Sequence, residues 1–233
     1  MQIQGLQKVT LLDYPEKMAA TVFTVGCNFR CPYCHNASLV TRIDKANDIP
    51  VEQVMDYLKK RKNVLEGVCI SGGEPLLQQN LEDFIKEVKA LGYLVKLDTN
   101  GSNLEKLQTL VEQSLIDYVA MDIKNAPSKY GITSGLDEER CGKLLPQVMA
   151  TVDYLKLDAI PYEFRTTVVK EFHNREDLEE MGEWLRGARK HYLQKFNDSR
   201  NCIGEGCHSY SDEIMKQVLE LLRKYIPTAQ IRD

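Results

Sequence analysis

Ala20-Thr21-Val22-Phe23-Thr24-Val25-Gly26-Cys27-Asn28-Phe29-Arg30-Cys31-Pro32-Tyr33-Cys34-His35 is an apolar, β-branched run that empties into three cysteines spaced CxxxCxxC. The run reads as a buried strand. Three thiols so close together read as a metal site on the loop that follows it. A [4Fe–4S] cube usually takes four cysteine thiolates, so three ligands on one short loop would leave one iron open to another molecule.

The same residues admit other chemistry. Cys31-Pro32-Tyr33-Cys34 is a dithiol motif, and Cys31 to His35 spells CxxCH, the attachment pattern of c-type haem. Covalent haem needs an export route, and residues 1–20 lack the basic start, long apolar core and small-residue cleavage site of a signal peptide. A thioredoxin-like dithiol has no use for Cys27. Structural zinc on three cysteines and His35 is the serious rival, although adjacent Cys34 and His35 have an awkward geometry for one ion.

The 233 residues, 43% of them hydrophobic, are enough to bury one sizeable core. A net charge of −4 without basic patches speaks against a nucleic-acid partner, and no apolar run approaches membrane-spanning length. Seven cysteines, an odd number, fit reduced and partly metal-bound thiols better than a secreted disulfide framework. The expected location is the cytoplasm.

Outward from the cysteine loop, short β-rich runs alternate with amphipathic stretches of helical length, the pattern of successive βα units around a parallel sheet. Strands are predicted at 19–25, 66–71, 93–98, 117–123, 162–169, 190–195 and 228–232, and helices at 51–62, 79–91, 103–115, 137–156, 174–189 and 211–225. Six such units make an incomplete barrel or a sheet curved like one. The expected organisation is a single domain over 1–233, with a core of about 16–200 and a C-terminal helical tail at 201–233. In folds of this kind the ligand site lies in the loops after the C-terminal strand ends. The cysteine loop follows the first predicted strand, Ser71-Gly72-Gly73-Glu74-Pro75 the second, and Asp98-Thr99-Asn100-Gly101 the third, while Asp122-Ile123-Lys124 ends the fourth. Adjacent glycines there permit close backbone approach to a small polar ligand. Taken singly, the glycines also suit a plain turn, and Asp98 and Asp122 suit helix caps or a pair with Lys124.

The CxxxCxxC array with Tyr33 before its last cysteine, followed by Gly72-Gly73-Glu74-Pro75, resembles the radical S-adenosylmethionine superfamily. Leu12-Asp13-Tyr14-Pro15, Cys34-His35-Asn36, Asp98-Thr99-Asn100-Gly101-Ser102, Met121-Asp122-Ile123-Lys124 and Arg165-Thr166-Thr167-Val168-Val169 resemble, more narrowly, the activating proteins of anaerobic ribonucleoside-triphosphate reductase. The resemblance implies a partial (β/α)6 barrel, a [4Fe–4S] cluster on Cys27, Cys31 and Cys34, and S-adenosylmethionine chelating the fourth iron. It implies that Tyr33 and His35 meet the adenine through the loop backbone, that Gly72, Gly73 and Glu74 receive the methionine ammonium, and that Lys124 meets its carboxylate. Asp98, Thr99 and Asp122 match positions beside the cofactor, around a monovalent cation. The implied reaction takes one electron from flavodoxin or ferredoxin, cleaves S-adenosylmethionine to a 5′-deoxyadenosyl radical, and draws hydrogen from a glycine of the reductase.

Two positions depart from that pattern: Glu16 stands where relatives often have glycine, and Gln194-Lys195-Phe196-Asn197 has no histidine where some activases place one. Cys202 and Cys207, with His208, lie in the polar loop 201–208, where exposed free thiols are the expectation. Cys69 and Cys141 are expected to pack, as are Met181, Trp184 and Leu185, and Arg165 to form a salt bridge or reach the rim. Other functional classes stay open: activation of a different glycyl-radical enzyme, a radical enzyme for a small molecule such as a deazapurine-forming synthase, and a non-catalytic zinc-binding module.

Overall fold

The computed structural model describes residues 1–197 and 202–232. Residues 198–200 of the expected core, Asn201 of the late cysteine loop and Asp233 of the tail lie outside the described residues. Along the rest run β1 (Ile3–Thr10), β2 (Ala19–Thr24), α1 (Ala37–Val40), α2 (Val51–Arg61), β3 (Gly67–Gly72), α3 (Leu81–Ala90), β4 (Leu94–Thr99), α4 (Leu104–Glu112), β5 (Tyr118–Asp122), α5 (Tyr130–Ser134), α6 (Glu138–Lys156), β6 (Tyr162–Val168), α7 (Arg175–Trp184), β7 (His191–Lys195), α8 (Asp212–Arg223) and β8 (Gln230–Arg232).

The strands lie in one sheet in chain order. β2 to β3, β3 to β4, β6 to β7 and β7 to β8 pair in parallel. Parallel neighbours need a crossover, and an α-helix supplies each one. The result is the expected mostly parallel α/β sheet, and its strand–helix units from β2 to α8 are those of a partial (β/α)6 barrel. β1 is the correction: it was not predicted, and it runs antiparallel to β2, with Ile3 opposite Thr24 and Thr10 opposite Ala19. Its half-polar sequence Ile3-Gln4-Gly5-Leu6-Gln7-Lys8-Val9-Thr10 suits a strand with an exposed face, and register shifts break its alternation. The short helices α1 and α5 were not predicted either, and α7 ends at Trp184, five residues before its expected end, ahead of a turn at Gly187 with φ 85°.

Two compact units divide the chain. One comprises Met1–Asn28, Ser38–Thr99 and Asn103–Ala120, the other Phe29–Ala37, Asn100–Ser102 and Met121–Asp233. In the first, Ala19, Ala20 and Val22 of β2, Val68 and Ile70 of β3, and Val95 and Leu97 of β4 are wholly buried, consecutive residues included, as expected of strands covered on both faces. Tyr14, from the Leu12–Pro15 motif, packs with Ala19 and Tyr118 at the start of β2, and Asp13 accepts a hydrogen bond from Thr21 at 2.5 Å. This motif therefore supports the strand end away from the cysteines. In the second unit, Phe164 and Leu193 of the sheet, Val152 and Leu155 of α6 and Met181 of α7 are all wholly buried in the core. Met181 and Leu185 are buried as predicted, and Trp184 meets Tyr130 edge to face at 6.2 Å. Glu163, fully buried, is held by both Arg232 guanidinium nitrogens at 2.6 and 2.8 Å, which pins β8 to the sheet. No helix among the described residues is long and apolar enough to cross a membrane.

Glu16 adopts φ 63°, the left-handed region that suits glycine. The departure at this position is thus a strained one. Glu16→Gly should stabilise the protein by about 0.5–1 kcal/mol in urea unfolding, since relief of strain outweighs the added freedom of the unfolded chain.

His191 is buried, with Nε2 2.9 Å from Thr166 Oγ1 and Nδ1 lacking a partner among the described residues. Burial pushes its pKa down from 6.5 to about 4. The unfolded chain therefore binds a proton between those values that the fold refuses, and stability falls as pH drops from 6.5 towards 4, by about 1.4 kcal/mol per pH unit for this one group. Stability curves of His191→Gln and the parent, measured against pH, should differ by that slope and run parallel above pH 7.

Candidate functional site

In the first unit, the Gly72-Gly73 turn lies against the backbone that leads into the cysteine loop. Gly73 N–H donates to Thr24 O at 2.9 Å and Glu74 N–H to Gly26 O at 2.7 Å. A Cβ on Gly73 would overlap the Gly26 carbonyl, lying 2.6 Å from its carbon, and a Cβ on Gly72, where φ is 115°, would overlap Thr24. Only glycine lets these two strand ends touch. The residue after Gly26 is Cys27, so the glycine turn fixes where the first thiol begins.

Glu74 is wholly buried, and Oε1 accepts from Leu76 N–H at 3.1 Å and from Thr99 Oγ1 at 2.9 Å. Its carboxylate thus ties the glycine turn to the end of β4. Asp98, also at that end, accepts from Ser71 Oγ at 3.0 Å, has Cys69 Sγ at 3.6 Å, and pairs with the Lys96 ammonium. Lys96 is 1% exposed and was not singled out in the sequence; the signal available was a lysine inside the apolar run Leu94-Val95-Lys96-Leu97. Cys69 packs as expected, and also belongs to this polar cluster, with Lys96 Nζ at 3.7 Å.

In the second unit, Cys31 is buried and Cys34 half-buried, and Cys34 N–H donates to Cys31 O at 3.0 Å to close a tight turn. Arg30 N–H donates to Ser134 O at 2.8 Å and anchors the loop to α5. Tyr33 sits between Phe172 and Phe196, ring centroids 5.9 and 6.4 Å away, and its buried hydroxyl has no hydrogen-bond partner among the described residues. Burial, and then the nearby Cys31, hold its pKa well above that of a free phenol. His35 stacks on Phe196 at 5.1 Å and 16°. Burial lowers the pKa of His35.

Asp122, at the end of β5, receives Lys124 Nζ at 3.2 Å and Arg165 Nε at 2.9 Å. Of the two expectations for Arg165, the salt bridge is present. The Lys124 side chain is 18% exposed; burial is the strongest single influence and opposes its charge, but Asp122, Cys31, Tyr33 and Tyr130 together outweigh it and raise its pKa well above the usual value. Two cations on one carboxylate give this trio a net positive charge, suited to an anionic ligand group.

The late loop requires a correction. Cys202 is no exposed thiol: it is 7% exposed and its Sγ lies 3.5 Å from His35 Nδ1. Gly204 N–H donates to Pro32 O at 2.7 Å, so the segment is laid across the cysteine loop. Cys207 is half-buried, and His208 pairs with Glu171 at 2.8 Å. No disulfide joins the described cysteines. Among the described residues no group of three or more His, Cys, Asp or Glu side chains is gathered tightly enough for a metal ion. Thiols on a loop take their final positions around the metal they bind.

Comparison with known proteins decides the family: the radical SAM superfamily model matches residues 21–185. The chain belongs to the radical SAM superfamily. This superfamily uses a [4Fe–4S] cluster and S-adenosylmethionine. A Methanocaldococcus jannaschii protein bearing the name glycyl-radical enzyme activating enzyme is 29% identical over 237 aligned residues, covering 99% of this chain and 95% of that one. The pyruvate formate-lyase-activating enzyme of Staphylococcus epidermidis is 32% identical over 114 residues, 45% of each chain. A radical SAM methyltransferase from Sphaerobacter thermophilus shares the fold, with a TM-score of 0.71 at 15% identity, over 96% of this chain and 68% of that one.

The residues present fit the cofactor pair. Three thiols outside any disulfide, a glycine turn with no side chain to block close approach, and a buried phenol without a hydrogen-bond partner among the described residues are groups that a cluster and a small polar ligand can use. Gly73→Ala should cost about 2 kcal/mol of stability in urea unfolding and lower the iron retained per chain after anaerobic reconstitution, because the added methyl displaces Gly26 and with it Cys27.

Proposed function

We propose that the protein is a glycyl-radical enzyme activase whose partner is anaerobic ribonucleoside-triphosphate reductase. The observation that carries the activase reading is the likeness, over nearly the full length of both chains, to a protein named for that activity. The choice of reductase rests on the motifs at Leu12–Pro15, Cys34–Asn36, Asp98–Ser102, Met121–Lys124 and Arg165–Val169.

In this reading Cys27, Cys31 and Cys34 hold the cluster as thiolates. Bound there, the cluster and S-adenosylmethionine supply a one-electron reductive cleavage to a 5′-deoxyadenosyl radical, which takes hydrogen from a glycine of the partner. The chain's own residues position and shield. Gly72 and Gly73 offer backbone carbonyls to the methionine ammonium, while Glu74 holds the turn in shape through Leu76 N–H and Thr99. Lys124, kept charged by Asp122, binds the carboxylate, and Arg165 fixes Asp122 from the other side. Tyr33 and His35, locked by Phe172 and Phe196, present the loop backbone to the adenine. Asp98, Thr99 and Asp122 stand beside the cofactor, and Lys96 supplies positive charge next to Asp98. The whole chain acts as one radical SAM domain in the cytoplasm, with flavodoxin or ferredoxin as electron donor.

The test is electron paramagnetic resonance of the anaerobically reconstituted, reduced protein mixed with S-adenosylmethionine and the reductase of the same cell. A glycyl doublet on the reductase is expected. Cleavage of S-adenosylmethionine without that doublet would remove the reductase from the proposal. Cys31→Ala should abolish both cluster and cleavage, and retained cleavage would refute its role as a ligand.

A further inference from the structure

Between α7 and α8, within the second unit, runs a groove of about 810 Å3. Leu178, Val218 and Leu221 form its floor, and Ile214, 38% exposed, stands at one end. Gly182 has no side chain to keep the helices apart there: a Cβ would lie 2.6 Å from the Tyr225 ring. From Ile214 to Lys224 the lining follows ten residues of α8 and its cap, about 15 Å at the helical rise.

The groove is cationic on a chain whose net charge is −4. Arg175, Lys216, Arg223 and Lys224 line it, against Glu220 as the acid of the lining. Arg175 is matched by Glu179 and Arg223 by Glu220, each at 3.0 Å. Lys216 and Lys224 make no ion pair with another described residue. Lys216 feels the Asp212 carboxylate one turn back without pairing to it, and two lysines outside any ion pair, beside an apolar floor, complement an acidic protein surface.

Its position gives that surface a use. Tyr210, in the lining, donates its hydroxyl proton to His173 O at 2.8 Å, and His173 Nε2 lies 2.8 Å from Lys124 O. The segment that leads to Tyr210 is the one whose Gly204 bonds Pro32 and whose Cys202 meets His35. The groove wall is therefore continuous, within one unit, with the strap on the cysteine loop.

We propose that the α7/α8 groove is the docking site of an acidic, low-potential electron-carrier protein of the flavodoxin class. The inference rests on the reductive reading of the chain given above. At each docking, the carrier's reduced flavin gives one electron and no proton to the oxidised cluster; the flavin is oxidised by one electron and the cluster reduced by one. Lys216 and Lys224 attract and orient the carrier, and take no part in binding S-adenosylmethionine.

The experiment measures 5′-deoxyadenosine formed from S-adenosylmethionine by the reconstituted enzyme, driven either by fully reduced flavodoxin or by dithionite. The double variant K216E/K224E should raise the half-saturating flavodoxin concentration by about tenfold or more, with the dithionite rate unchanged. Added salt should weaken the flavodoxin arm of the parent protein more than that of the variant. An unchanged flavodoxin arm would overturn the proposal, as would a variant that loses only activation of the reductase, which would assign the groove to the substrate protein. If the parent protein gives no 5′-deoxyadenosine with dithionite, the functional reading fails separately. Calorimetric binding of flavodoxin at low salt then decides the docking site, with binding lost in the variant supporting it and equal binding excluding it.

Discussion

Backbone meets backbone where Gly72-Gly73 touches Thr24 to Gly26, and the placement of the chemistry starts from that contact. β2 and β3 pair in parallel through Thr24 and Gly72, so both strands finish at the same level. Beyond that level the chains would be forced apart if Gly72 or Gly73 carried a side chain, and the hydrogen bonds from Gly73 and Glu74 to Thr24 and Gly26 hold them together instead. The contact ties the glycine turn to Gly26, the residue before Cys27, about 45 residues earlier in sequence.

Charge is the second constraint. A lysine 1% exposed in a strand is costly unless a carboxylate lies against it, and removing either member of such a pair leaves an uncompensated charge, at about 3–5 kcal/mol. Lys96 and Asp98 satisfy each other in the first unit. In the second, Asp122 is shared by Lys124 and Arg165, an arrangement that keeps both cations in place and leaves the trio positive. The carboxylates, Asp98 and Asp122, stand at or next to the C-terminal ends of β4 and β5, where a parallel sheet presents its ligands.

Much of this was legible in the sequence because strands covered on both faces leave continuous apolar runs. β2 through β7 were found within a few residues for that reason, and their polar ends followed. β1 escaped because its outer face is exposed and its register shifts twice. Cys202 was misjudged for a different reason: a polar, glycine-containing loop reads as surface, and only packing against His35 and Pro32, about 170 residues earlier, buries it. Lys96 needed the strand's neighbours to be known, since its partner, two positions on, also serves Ser71. Local pattern reveals elements and motifs; partners distant in sequence must come from the fold.

The account stands on Cys27, Cys31 and Cys34 holding an iron–sulfur cluster in place of zinc or a dithiol. Quantification of iron, acid-labile sulfide and zinc in the anaerobically reconstituted protein tests this directly. The account predicts about four irons and four sulfides per chain, with zinc absent. Stoichiometric zinc without sulfide would contradict it.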